Sequence, residues 1–169
     1  METYNATAPA TVLTPHALLS HWQGHRNLTR RVIEAFPEKE LFQYSIGGMR
    51  TFVVLAMEMV DLANPGMDGL TTGKWKSIAE LPHANGEGMP ATKDELLAIW
   101  DETTEKINRL WTQLRPEQFQ ERVAAFAQYE APVYNTILYF IDNEIHHRGQ
   151  GYVYLRSLGI EPPAFWNRD

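Results

Sequence analysis

Two carboxylates interrupt the otherwise apolar run Phe52-Val53-Val54-Leu55-Ala56-Met57-Glu58-Met59-Val60-Asp61-Leu62. A carboxylate in such a helix must reach water, pair with a cation, bind a metal or take up a proton. Glu58 and Asp61 lie one helical turn apart, and a narrow wet strip is the simplest place for both, above all for Asp61. A second polar group is Asp142-Asn143-Glu144-Ile145-His146-His147-Arg148-Gly149-Gln150. On a helix turning about 100° per residue, Asn143 and His147 share a face near Phe140 and Tyr154. Glu144 and Arg148 pair in the favoured i, i+4 order, and His146 turns away towards Asp142 at the surface. An inward His147 is either a hydrogen-bonded core residue or a ligand. The third group is His16, His21 and His25. The i, i+4 spacing of the last two can hold a metal, but a structural or surface role is the expectation. Asn27 and Arg30 fall nearby and could line a cleft.

Several chemistries are excluded. Glu144 and His147 form a Glu-x-x-His, half of a di-iron carboxylate motif that needs a second helical copy. The other occurrence, Glu80-Leu81-Pro82-His83, has a proline where the helix would run. No glycine-rich phosphate loop precedes a helix, since Asn85-Gly86-Glu87-Gly88 reads as a turn. No Gly-x-Ser-x-Gly elbow and no His-Glu-x-x-His occur. The chain has no cysteine, which removes disulfides, thiolate zinc sites and a cysteine nucleophile. A formal net charge of −6 lacks the basic footprint of nucleic-acid binding. No run of 18 apolar residues occurs, so no membrane span is expected. The first 30 residues lack an apolar signal core, so a cytoplasmic location is expected.

Periodicity, caps and breakers predict helices over 14–36, 48–63, 92–114 and 132–158. Thr14-Pro15 opens the first, and Asn64-Pro65-Gly66 ends the second with turn chemistry. Thr92 with Glu95 forms a capping box for the third. The fourth stops at Gly159 and Pro162-Pro163. Trp22, Trp100 and Trp111 are expected in the core. Residues 64–91 read as a long crossover, partly packed through Leu70, Trp75 and Ile78. Trp75 either closes a pocket or pins that loop. A short extended piece over 122–126 is the weakest signal. The expected fold is all-α, a four-helix bundle with a long crossover between its second and third helices. It forms one domain over 1–169, with an N-terminal extension over 1–13. Gly149 and Gly151 allow close helix approach.

The segment His146-His147-Arg148-Gly149-Gln150, followed by Leu155-Arg156-Ser157-Leu158-Gly159-Ile160-Glu161-Pro162-Pro163, resembles the DinB family of helical bundles. So do Met49-Arg50-Thr51-Phe52 onward and the first helix, and the likeness covers most of the chain. The resemblance implies a DinB/YfiT-like four-helix bundle, commonly a homodimer. It also implies a divalent metal, zinc or nickel, held by three histidines, one in the second helix and two at i, i+4 in the fourth. Position by position, the last ligand matches His147, the one four residues earlier falls on Asn143, and the second-helix ligand falls on Glu58. The implied metal site is therefore Glu58, Asn143 and His147, with catalytic residues unassigned. These oxygen and nitrogen donors hold a divalent ion more weakly than three histidines. The implied function is a divalent-metal-dependent transferase or hydrolase acting with a small thiol. The alternative is a metal-free, non-catalytic stress-response or small-molecule-binding module, in which Glu58 and His147 hydrogen-bond directly.

Overall fold

The computed structural model describes residues 12–169; all but the last two residues of the expected N-terminal extension, 1–13, lie outside them. Helix α1 (Pro15–Ala35) starts where Thr14 caps it, its hydroxyl accepting from the Ala17 N–H at 3.1 Å. A short α2 (Glu38–Gln43) leads to α3 (Phe52–Thr72). A 3-10 turn (Ile78–Glu80) and the one-turn α4 (Pro82–Asn85) form the crossover. Helix α5 (Lys93–Trp111) opens at Thr92, whose hydroxyl accepts from Glu95 N, while the Glu95 carboxylate accepts from Ala91 N. Strands β1 (Arg122–Ala125) and β2 (Tyr129–Pro132) pair antiparallel, and α6 (Val133–Ser157) ends at Gly159 in the left-handed region. The four long helices close a ring in which α1 and α3 each pack against both α5 and α6. Trp22, Met67, Trp111 and Phe140 fill one end of the core, and Phe36, Phe52, Trp100 and Leu155 the other. Among the described residues, no helix is long and apolar enough to cross a membrane.

The second long helix corrects the sequence reading. It does not stop at Asn64-Pro65-Gly66 but runs through Pro65 to Thr72. An interior proline costs about 3 kcal/mol. Burial offsets that cost, because Ala63, Met67 and Leu70 continue the apolar stripe into the core. Gly73, at φ 73°, supplies the true stop, its N–H bonding to Gly69 O at 2.9 Å. Small residues on this added length admit two aromatic rings. A Cβ on Gly66 would lie 2.7 Å from the Phe140 ring, and one on Gly69 would lie 2.3 Å from Trp75. Trp75 thus pins the crossover onto α3, and the irregular stretch is shorter than the 64–91 expected.

The weak extended signal at 122–126 is real, and the all-α expectation gains a two-stranded hairpin. Its turn places Phe126 (φ 52°) and Ala127 (φ 57°) in the left-handed region, which is strained for side chains larger than glycine. Phe126 is buried, with its ring edge-on to Trp75 at 5.4 Å and to Phe140 at 6.2 Å. That burial holds the turn in place.

The two glycines of α6 differ. Nothing lies within 4 Å of a Cβ on Gly149, whereas one on Gly151 would sit 2.4 Å from Phe52, itself stacked on Phe36. Gly149→Ala should raise stability by up to about 1 kcal/mol through helix propensity. Gly151→Ala should lower it by about 1–3 kcal/mol through overpacking. Urea denaturation of the two variants checks the opposite signs.

Candidate functional site

Where α3 packs on α6, Glu58, Asn143 and His147 converge. Glu58 Oε1 accepts from Asn143 Nδ2 at 3.0 Å and lies 3.0 Å from His147 Nε2. Its other oxygen accepts from Arg50 Nη2 at 2.5 Å. Asn143 and His147 are buried, and the Glu58 side chain is 18% exposed. Burial pushes the Glu58 carboxyl up, but hydrogen bonds from His147, Arg50 and Asn143 outweigh it and hold the group well below the usual carboxylate range. On the far side of the imidazole, His147 Nδ1 lies 2.8 Å from Gln150 Oε1, while Gln150 Nε2 turns to Met49 Sδ at 3.6 Å. Nδ1 therefore donates to Gln150. In a neutral ring Nε2 then carries a lone pair facing a carboxylate oxygen, an arrangement that calls for a cation between them, either a proton or a metal. Asn143 Oδ1 adds a third acceptor, buried and without a partner. Among the described residues, no three His, Cys, Asp or Glu side chains cluster to hold a metal; this trio contains two.

Glu58 also borders a cavity of about 540 Å³. Leu62 of α3, Phe140 and Tyr139 of α6, Phe126 and Glu130 of the hairpin, and Ile78 of the crossover form its walls. His83 completes them, a residue the sequence reading gave no role. Asp61 is not on a wet strip, as expected, but 4% exposed. Its Oδ2 accepts from His83 N at 2.8 Å and from His83 Nδ1 at 2.7 Å. An acid in an apolar helix was the available signal, but its partner lies in an irregular segment that periodicity cannot place. Glu80 sits in the 3-10 turn and Pro82 opens α4, so Glu80 and His83 do not share a helix.

The remaining candidates do other work. His146 is exposed. Glu144 and Arg148 do pair, at 3.8 Å and in the interior, with Arg26 also 3.8 Å from Glu144 and the Thr29 hydroxyl donating to it at 2.7 Å. Of the structural and surface roles expected for His21 and His25, His25 takes the structural one and is buried. Arg148 Nη2 donates to its Nδ1 at 2.8 Å, so its proton sits on Nε2 and points to His21 Nε2 at 3.2 Å. With a guanidinium on one ring nitrogen, His25 and His21 are poorly disposed to grip a metal. Asn27 lines a shallow cavity with His21 and Arg168, while Arg30 is taken up by Asp101 through two bonds of 2.7 and 2.9 Å. Trp22, Trp100 and Trp111 are core residues.

Comparison with known proteins agrees with this architecture. The model of the DinB family matches residues 4–168. The crystal structure of a DinB-like protein from Bacillus subtilis superposes with a TM-score of 0.69 at 20% identity, covering 90% of this chain and 99% of the other. A DinB-like protein from Bacillus cereus gives 0.68 at 17% identity, covering 89% and 97%. At such identities the structural likeness speaks for the fold. No curated protein matches the sequence.

His25 makes stability pH-dependent. Burial, then the Arg148 cation, pushes its imidazole from 6.5 down to about 3. Between those values the unfolded chain binds a proton that the folded chain does not. The contribution is fully present above about pH 6.5 and is lost as pH falls towards 3, by up to about 1.4 kcal/mol per pH unit. In urea denaturation at about pH 7.5 and 4.5, His25→Gln should flatten that loss by roughly one proton equivalent.

Proposed function

The chain belongs to the DinB family, and from that premise we propose that Glu58, His147 and the amide oxygen of Asn143 form a weak divalent-cation site, for zinc or nickel, at the floor of the cavity. The observation that carries this reading is the pair of acceptors, Glu58 Oε1 and His147 Nε2, held 3.0 Å apart with Gln150 fixing the far ring nitrogen. An outer partner on the second nitrogen is the usual support of a metal-bound histidine. Asn143 Oδ1 is a buried acceptor without a partner, and a turn of the amide that gives up the Nδ2 bond to Glu58 would offer it to the ion as a third donor atom. A bound ion would act as a Lewis acid, lowering the pKa of a water or a small thiol. In that reading the protein is a divalent-metal-dependent transferase or hydrolase, and the cavity holds the second substrate. The family resemblance adds a homodimer, which sedimentation at micromolar concentration tests.

One observation favours a second reading. Arg50 already neutralises Glu58 from outside, which supports a metal-free module that binds a small molecule, as in a stress response, without catalysis.

Metal analysis separates the two. Protein purified without a histidine tag should bind close to one zinc or nickel ion per chain when the ion is supplied, and should gain thermal stability as it does so. Glu58→Ala and His147→Ala should each weaken binding by more than about tenfold. His146→Ala, at an exposed position, should leave it unchanged. Absence of both stoichiometric binding and thermal shift selects the metal-free module.

A further inference from the structure

The pairing of Asp61 with His83 has no part in the cation site, and it faces the same cavity. Asp61 Oδ2 receives both the backbone N–H and Nδ1 of His83, at 2.8 and 2.7 Å. Two bonds to one buried oxygen fix the ring's position and put a proton on Nδ1, so that in the neutral ring the lone pair is on Nε2. The His83 side chain is only 9% exposed and borders the cavity. Among the described residues nothing donates to its Nε2. The ring borders the open cavity, where a donor on a bound molecule can take the place of solvent at Nε2.

The walls narrow what that donor belongs to. Phe126, Phe140 and Tyr139 offer aromatic faces and edges, and Leu62 and Ile78 offer aliphatic ones. Gln128, Asn135 and Thr136 add neutral polar groups beside them, and such a mixed lining suits a flat, largely apolar body that carries a polar group. No lysine or arginine lines the cavity, whereas Glu58 and Glu130 do. An anion would therefore find carboxylates and no compensating cation. A cationic organic ligand would find Glu58 already engaged, whether by Arg50 and His147 or by an ion in the proposed site, and Glu130 exposed. We propose that this cavity binds a neutral aromatic hydroxyl compound, of the phenol class, whose O–H is donated to His83 Nε2. Asp61 is the positioning residue that keeps Nε2 an acceptor. The proposal stands on the cavity and on His83 and needs no metal at Glu58.

The test uses chelator-treated protein, so that failure of the cation site cannot be confused with failure here. The probes are 4-ethylphenol and 4-ethylanisole, which differ only in O–H against O–CH₃. The phenol should bind about tenfold tighter, the size expected for one hydrogen bond in a partly dry site. With histidine labelled in nitrogen-15, free His83 should show a protonated Nδ1 and a lone-pair Nε2. On adding the phenol, the Nε2 signal should move upfield while Nδ1 stays. His83→Phe keeps a ring of similar size and removes the acceptor, so it should bind the two probes equally. If that variant does not fold, the labelled wild-type protein decides alone. Equal affinity of wild type for the two probes would overturn the proposal. So would a free protein with the proton on Nε2, or phenol binding that leaves the Nε2 signal unmoved.

Discussion

The arrangement of the bundle depends on one buried carboxyl group. Glu144 of α6 is enclosed, with Arg26 of α1 on one side, Arg148 one turn along its own helix and the Thr29 hydroxyl against it. Burial pushes its carboxyl up and pushes the Arg26 guanidinium down to about 10, which leaves the latter charged at neutral pH. Arg26 also donates to the Trp100 carbonyl and lies 3.5 Å over the Trp100 ring, so the same cation ties α5 into the group. Buried charges stabilise little by themselves, and Arg26 Nη1 lacks a hydrogen-bond partner, but breaking one member away is expensive, so the cluster favours one packing over its neighbours. Here the specified quantity is the rotation of α6. With Glu144 and Arg148 turned to α1, the adjacent positions Asn143 and His147 are turned to α3, where Glu58 waits. The polar floor of the cavity is thus set by an ionic cluster on the other side of the same helix.

The second constraint is the length of α3. Continuing past Pro65 places Gly66 and Gly69 against Phe140 and Trp75, which draws the crossover tight along the helix. That draws α4 down until His83 reaches Asp61. The cavity owes its His83 wall to a helix that ignores its own proline.

Much of this was legible from residue types alone. Glu58 in an apolar run demanded a partner, and the i, i+4 spacing of Asn143 and His147 put two candidates on one face; the structure brings all three together. The Thr14 and Thr92 caps and the Gly159 stop are where their residue types put them. What escaped is non-local. Asn64-Pro65-Gly66 has the chemistry of a turn, and only the burial of Met67 and Leu70 against other helices overrides it. Asp61 looked like a surface acid because its partner comes from a segment with no periodicity. Of the structural and surface roles open to His25, the structural one holds, but nothing in α1 tells of Arg148, far along the chain, as its partner. The hairpin was faint because Arg122–Ala125 is short and half-exposed, and its anchor, Phe126, adopts a backbone conformation that aromatic residues rarely take.

That anchor divides the cavity into parts with separate histories. The helices hold the acid, amide and imidazole groups on rigid, mutually braced surfaces. The rim between Gln128 and Ala131 hangs from Phe126 and shares no bond with the ionic cluster. Insertions or exchanges along that rim can reshape the opening without disturbing the helix rotation that aligns the floor. A scaffold built this way can change what it admits long before it changes what it does, and a lineage of such proteins should vary first at its hairpin.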